Sequence, residues 1–314
     1  MDTNTDSVPN TFVRVAEVWI PKDGRLVHAE GDYAHSQAFA DASVATSFAK
    51  GEGLPGKVWE SGKPIVLKEF DGSYFKRTEA AAEAGLTSAV AIPVFAEDIL
   101  KAVLVLLCSS DVDHMGAIEV WEYREERLRL ADGYYGAATE FEAASKDIAF
   151  SHGQGLPGGV WSSNTPILKR NIARAASFLR SEQASNIGLK TGLGLPIPTP
   201  GDNTFVLTLL SATNTPIAHR FEIWDARPEC VGASRKAQLI DGLCERDGPL
   251  WAQQNPPVDP PMASAWKGPI GQVLGNGLPY VQREGTGLPA GYTSMFALPI
   301  YHEADLAYVV ACYL

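Results

Sequence analysis

Long apolar runs, basic clusters and paired cysteines are scarce in this chain of 314 residues, and each scarcity removes a class of protein. Apolar runs such as "AVLVLLC" at 102–108 fall far short of the ~20 residues a helix needs to cross a bilayer. Lys and Arg number 26 against 37 Asp and Glu, for a net charge of −11, with no basic run. Non-specific binding to nucleic acid or to an anionic membrane needs clustered cations, so neither partner is expected. Four cysteines, Cys108, Cys230, Cys244 and Cys312, form no C-x-x-C pair and no disulfide framework. The six histidines neither recur at corresponding positions nor stand at metal-ligand spacing. The N-terminus, "MDTNTDSVPNT", has no cationic region ahead of an apolar stretch, so it is not a secretory signal, and the cytoplasm is the expected compartment.

What the chain has is repetition. "GEGLPGKVWESGKPIVL" from Gly51 returns as "HGQGLPGGVWSSNTPIL" from His152. Three further anchors recur in one order: "AEVW", "IEVW" and "FEIW", ending at Trp19, Trp121 and Trp224; "GLTSAVAIPV", "GLKTGLGLPI" and "GYTSMFALPI", from Gly85, Gly188 and Gly291; and the apolar runs from Lys101, Thr204 and Ala307. The last two sets are each spaced by 103 and 103. The chain therefore reads as three modules of about a hundred residues, a common domain size. Their bounds are 11–110, 114–213 and 217–314, with polar joins at "SSDVDHMG" (109–116) and "SATNTP" (211–216).

In the first module "RVAEVWI" and "RLVHAEG" read as a hairpin about "PKDG". "SQAFADASVATSF" is partly helical. "LPG" sets a turn, "KVWES" a short helix, and Gly62 a left-handed stop. Lys63-Pro64 forces an extended chain into "PIVLKEF". "SYFKRTEAAAEAG" is a helix with Ser73 as candidate N-cap and Gly85 as its end. "LTSAVAIPVF" and "LKAVLVLLC" are two further strands. The class is α+β, an antiparallel sheet with helices on one face.

The order of elements, with "GLPG-x-VW" and "GLTSAVAIPVF" in those places, resembles the GAF domain family of ligand-binding sensor modules, related in fold to PAS domains. The resemblance covers nearly the whole chain and implies a sheet order of 2-1-5-4-3. The third copy is degenerate. "WKGPIGQVLGNGLPYV" from Trp266 has Leu274 in place of the tryptophan, and "REGTGLPAG" replaces the lid region. The lid helix and a closed pocket are therefore expected to be missing there. No long terminal helix or effector segment accompanies the modules, which leaves a free-standing sensor or part of a longer protein.

The candidate ligand-binding residues are Trp19, Trp59, Phe75 and Arg77 in the first copy, with Trp121, Trp161, Phe178 and Arg180 in the second. In GAF domains the lid closes the ligand cavity, and an Arg repeated there could clasp a carboxylate or phosphate or tie down a loop. The tryptophans could line a cavity, although core packing is the preferred reading. Glu17, Glu119 and Glu222, two residues before a tryptophan, share its face, turned either to a buried pocket or to solvent. The "GLPG" glycines are read as backbone geometry rather than an anion cradle. No catalytic or metal-binding constellation is evident, and no cofactor is indicated. The cyclic-nucleotide GAF signature is absent, and bilin attachment would need a cysteine beside the pocket. The leading expectation is a non-enzymatic small-molecule sensor with ligand between sheet and lid in the first two modules. The alternatives are a protein-interaction or homodimerising body with collapsed pockets and, less favoured, a thiol reductase of the free methionine sulfoxide type.

Overall fold

The computed structural model describes residues 11–34, 36–109, 114–175, 177–201, 203–232, 235–245, 247–250 and 259–314. The middle of the first join, 110–113, and most of "WAQQNPPVDPPM" (251–258) lie outside them.

The first unit runs β1 (Val13–Lys22), β2 (Arg25–Asp32), α1 (Gln37–Val44), β3 (Ser47–Phe48), α2 (Gly53–Ser61), β4 (Ile65–Leu67), α3 (Thr78–Glu83), β5 (Leu86–Ala96), β6 (Ile99–Ser109). The second repeats it as β7 (Met115–Arg124), β8 (Arg127–Gly136), α4 (Thr139–Lys146), β9 (Ala149–Phe150), α5 (Gly155–Ser163), β10 (Ile167–Arg170), α6 (Ser181–Asn186), β11 (Leu189–Ile197), β12 (Phe205–Ala212). The third runs β13 (Arg220–Asp225), α7 (Pro228–Val231), β14 (Lys236–Cys244), β15 (Gly248–Pro249), β16 (Met262–Ser264), α8 (Gly268–Asn276), β17 (Tyr280–Arg283), β18 (Ser294–His302), β19 (Asp305–Tyr313).

Each unit forms one antiparallel sheet: β3-β2-β1-β6-β5-β4, then β9-β8-β7-β12-β11-β10, then β15-β14-β13-β19-β18-β17. Setting aside the two-residue edge strands, this is the 2-1-5-4-3 order three times. No helix among the described residues is long and apolar enough to cross a membrane.

The "GLPG" stretch is the first turn of α2 and not a turn ahead of it, which corrects the sequence reading. Gly53 takes φ +59°, and a Cβ on Gly56 would stand 2.1 Å from the Ala49 carbonyl oxygen. The same crowding recurs at Gly158, 2.2 Å from Ser151 O, and at Gly271, 2.4 Å from Ser264 O. The motif is backbone geometry: helix and incoming chain touch where a side chain would sit. Gly62 ends the helix at φ +68°, as expected of a left-handed cap. Ser73 does not cap α3. Its hydroxyl donates to Phe70 O at 2.7 Å and accepts from Phe75 N at 3.2 Å, so it closes a turn before the shorter helix. In the third unit residues 284–293, which join β17 to β18, hold no helix, so the lid helix is missing as expected.

The sheets are buried on both faces. One face of each packs on its own helices. The other faces meet in a single core drawing on Val90, Ile92, Leu104 and Leu106, on Leu193, Leu195, Leu207 and Leu209, and on Phe296, Leu298, Tyr308 and Val310. Burial on both faces is why β5 and β6 read as continuous apolar runs and not as alternating ones. Ion pairs close the ring at its seams. Lys68 meets Asp132 at 2.9 Å, Arg170 meets Asp241 at 2.5 Å, and Arg283 meets Asp32 at 2.7 Å. In every case the base stands on or just past the edge strand β4, β10 or β17 of one unit, and the acid stands on the second strand of the next. The third unit thereby returns to the first.

Candidate functional site

The predicted lid arginines lie inside the layer between sheet and helices. Glu17 projects from β1 on the face shared with Trp19 and is fully buried; so is Glu119 on β7. Arg77, at the N-terminal end of α3, donates from Nη2 to Glu17 Oε2 at 2.9 Å and from Nη1 to Glu17 Oε1 and Ser43 Oγ. Arg180 repeats this with Glu119, at 3.0 Å for the Nη2 bond, and with Ser145. The two guanidinium-bearing residues are 5% and 1% exposed. The carboxylate that each Arg clasps is the protein's own.

Aromatic rings enclose each pair. The Arg77 guanidinium carbon stands 4.7 Å from the Phe39 ring centroid, 5.1 Å from Trp19 and 5.3 Å from Phe75. For Arg180 the corresponding rings are Phe141 at 4.4 Å, Phe178 at 5.3 Å and Trp121 at 5.4 Å. Such contacts add cation–π attraction in a site shielded from water. Trp19 Nε1 donates to Glu17 Oε2 at 3.3 Å and Trp121 Nε1 to Glu119 Oε2 at 3.2 Å. Burial pushes both carboxyls up, but the adjoining guanidinium and its hydrogen bonds outweigh it and hold both below the ordinary carboxylate value.

The two networks differ at their edges. In the second unit Tyr135 OH donates to Glu119 Oε1 at 3.1 Å, and Thr208 Oγ1 to Glu119 Oε2 at 2.9 Å. In the first unit Val105 stands in place of Thr208, and the Tyr33 hydroxyl pairs with His28 Nε2 at 2.6 Å. In the third unit, which has no lid, Arg220 on the strand itself supplies the guanidinium. Its Nε donates to Glu222 Oε1 at 2.7 Å, while Trp224 Nε1 and Tyr313 OH each donate to Glu222 Oε2 at 2.9 Å.

The structure thus brings Trp19, Phe75 and Arg77 together, and likewise Trp121, Phe178 and Arg180. Trp59 and Trp161 sit apart, half-buried at the helix ends, where they line separate clefts. Sequence reasoning missed Ser43 and Ser145, which orient the guanidinium groups. Their signal was available: Phe39, Ser43 and Phe48 recur at Phe141, Ser145 and Phe150, each spaced by 102.

One large cleft opens at the mouth of the first unit's layer. Its volume is about 640 Å³, and its walls include Arg14, Tyr33, Ser36, Gln37, Glu83 and Ser109. Arg14 Nη2 lies 3.0 Å from His114 Nε2 and its Nε 3.5 Å from Ser109 Oγ. Through Tyr33 this wall touches His28, and His28 packs edge-on against Trp19 at 5.5 Å.

The GAF domain family model matches residues 8–120, so the first unit belongs to the GAF domain family, and the other two repeat its strand order. GAF domains are known for ligand-binding sensor and regulatory roles. Among solved structures, the A. aeolicus nlh2 GAF domain in an inactive state is 20% identical over 32% of this chain and 59% of its own, with TM-score 0.26. The GAF domain of a phosphoenolpyruvate-protein phosphotransferase from Coxiella burnetii is 22% identical over 31% and 56%, with TM-score 0.25. Free methionine-R-sulfoxide reductase from Neisseria meningitidis, in complex with its substrate, is 16% identical over 31% and 52%, with TM-score 0.25. The chain therefore spans little more than half the length of these structures. No curated protein matches it.

Proposed function

We propose that this chain is a non-catalytic, ligand-responsive regulatory protein of three GAF-like units, 11–110, 114–213 and 217–314, with its input site in the first. The observation that carries this reading is the cleft of about 640 Å³ at the mouth of the first layer, whose walls mix polar and apolar groups. Its volume falls within the range typical of small-molecule sites. Arg14 and Glu83 place both signs of charge on its walls, which suits a small polar metabolite with an acidic and a basic group. Tyr33 links the wall to His28 and the Trp19–Glu17–Arg77 network, a route by which occupancy would reach the core. In this reading Trp19, Phe75 and Arg77 support the floor of the site, and their second-unit counterparts hold a closed layer.

The thiol-reductase alternative is weakened by the cysteines themselves. Cys108, Cys244 and Cys312 are buried and Cys230 is exposed. Burial pushes the Cys108 and Cys312 thiols far up, away from the thiolate a redox catalyst needs. A protein-docking body remains the second reading, favoured by the inner layers of the first two units, which are filled by their own side chains.

Calorimetry of the full chain against amino acids, short carboxylates and planar metabolites tests the sensor. Ala38 is exposed on the cleft wall, so A38W fills the cleft from outside the core. A ligand that binds one per chain and is lost in A38W supports the reading. Absence of any binder, or binding indifferent to A38W, overturns it.

A further inference from the structure

The end of each "GLPG"-type helix meets its own last hairpin at a cleft, and the three clefts can be compared with one another. In the first unit the cleft measures about 260 Å³, is lined by Lys50, Trp59, Phe95 and Asp98, and is touched by Pro200 of the second unit. In the third it measures about 360 Å³ and is lined by Leu274, Tyr301, Arg235 and Asp305. In the second it measures about 380 Å³ and lies between two units. Trp161, Asn164, Pro196 and Phe205 form one side, and Tyr301, His302 and Glu303 of the third unit form the other.

We propose that this second cleft is a binding site for a small organic cation bearing a ring or a quaternary ammonium, distinct from the cleft of the first unit. Three observations carry it. The first is the aromatic lining: Trp161 and His302 are half-exposed at the space, with Phe205 and Tyr301 buried at its border, and the face of a tryptophan attracts cations best. The Trp161 ring is held in place by Tyr123 at 5.1 Å and His152 at 4.8 Å, so its presentation costs little ordering on binding.

The second is charge. Glu303 is the one charged side chain among the described lining residues, whereas the sister clefts mix signs, Lys50 with Glu60 and Asp98 in the first and Arg235 with Asp305 in the third. Lys63 stands 5.6 Å from the Phe205 centroid, but Glu122 engages its ammonium at 3.3 Å.

The third is construction across a seam. The His302 Nε2 group lies 2.8 Å from the Asn164 carbonyl oxygen across the seam of the second and third units, and the Glu303 carbonyl accepts from Glu97 N of the first unit at 2.9 Å. The walls come from different units and are fixed by these bonds, so a bound cation would tighten the seam between the second and third units.

Isothermal titration of the full chain with benzyltrimethylammonium chloride tests this, with benzyl alcohol and sodium benzoate as neutral and anionic probes of similar ring. One cation is expected per chain, the alcohol at least about fivefold weaker, and benzoate unbound. W161L is the informative variant, because the third unit folds with Leu274 at the corresponding position. It should weaken the cation at least about tenfold, E303Q about threefold, and W59L and A38W not at all. Benzoate binding as tightly as the cation, an unchanged W161L, or an equal loss in W59L overturns the assignment.

Discussion

Arg180 and Glu119, sixty-one residues apart in sequence, meet in full burial and share two parallel hydrogen bonds, the Nη2–Oε2 contact being 3.0 Å. Arg77 and Glu17 repeat the relationship across sixty residues. Each guanidinium therefore serves as a fixed internal cation that joins lid to sheet. A pair so deeply buried gains little net stability over an apolar one, because both charges lose hydration. Breaking it is another matter.

Removing one partner should leave the other charge stranded. R180M or E119Q is expected to destabilise the chain by about 3–5 kcal/mol, and the double variant by markedly less than the sum of the two. Urea denaturation of the four proteins gives the coupling. Additive effects would show that the pair is not a unit.

Gly158 and Gly159 are neighbours on α5 with opposite expectations. A Cβ on Gly158 would stand 2.2 Å from Ser151 O, backbone that cannot yield cheaply. On Gly159 it would meet only the Ile167 Cδ1 atom, at 3.3 Å. G158A should cost about 2 kcal/mol or more, as overpacking does. G159A should be neutral or stabilise by up to about 1 kcal/mol through helix propensity. Thermal melts separate the two, and equal effects would show that "GLPG" is not set by this contact.

The common core predicts a single cooperative unit. Residues 114–213 expressed alone would bare Ile118, Val120, Leu193, Leu195, Leu207 and Leu209, an apolar sheet face that a monomer does not tolerate. The fragment should aggregate or associate, while the whole chain melts with calorimetric and van't Hoff enthalpies that agree. A monomeric fragment with its own sharp melt would mean that the core does not hold the units together.

His28 gives the first unit a pH dependence at a position where the second unit has Leu130. Burial first, and then the Arg77 guanidinium, hold the imidazole below its ordinary 6.5, against the pull of Glu17. The unfolded chain therefore takes up a proton more readily than the folded one, and stability should fall as pH drops below about 6.5. Leu130 fills the corresponding place beside Trp121, so H28L should flatten that slope. Glu17 and Glu119 are held low and stay charged through this window; their stabilisation is lost only at more acid pH, as it falls through their folded values. Glu30 and Glu245 are raised by burial and act with the opposite sign as their protons are taken up. Urea midpoints of parent and H28L, compared at each pH from about 7.5 to about 5.5, isolate the histidine. Parallel profiles would exclude it.

Much of the architecture was legible in the sequence because it is local and repeated. Recurrence of Gly85, Gly188 and Gly291 at constant spacing exposed three units, and the turn chemistry around Gly62 set a helix end that the structure reproduces at φ +68°. The boundaries of α3 were less legible, since Ser73 suits an N-cap and a turn equally well, and contacts from Phe70 and Phe75 decided for the turn. The Arg-bearing lid was visible in sequence. Its partner was not, because Glu17 on one face of a strand looks the same whether that face meets water or a guanidinium.

The sequence by itself determined the repeat and the order of strands and helices, because each follows from patterns among residues near one another along the chain. Only the tertiary structure decided that the three sheets share one core, that Lys68, Arg170 and Arg283 close a ring of acid–base seams, and that Arg77 and Arg180 spend their charge internally. Those outcomes depend on which faces meet across sixty or more residues, and a continuous apolar strand, burying both sides alike, does not say what will cover either one.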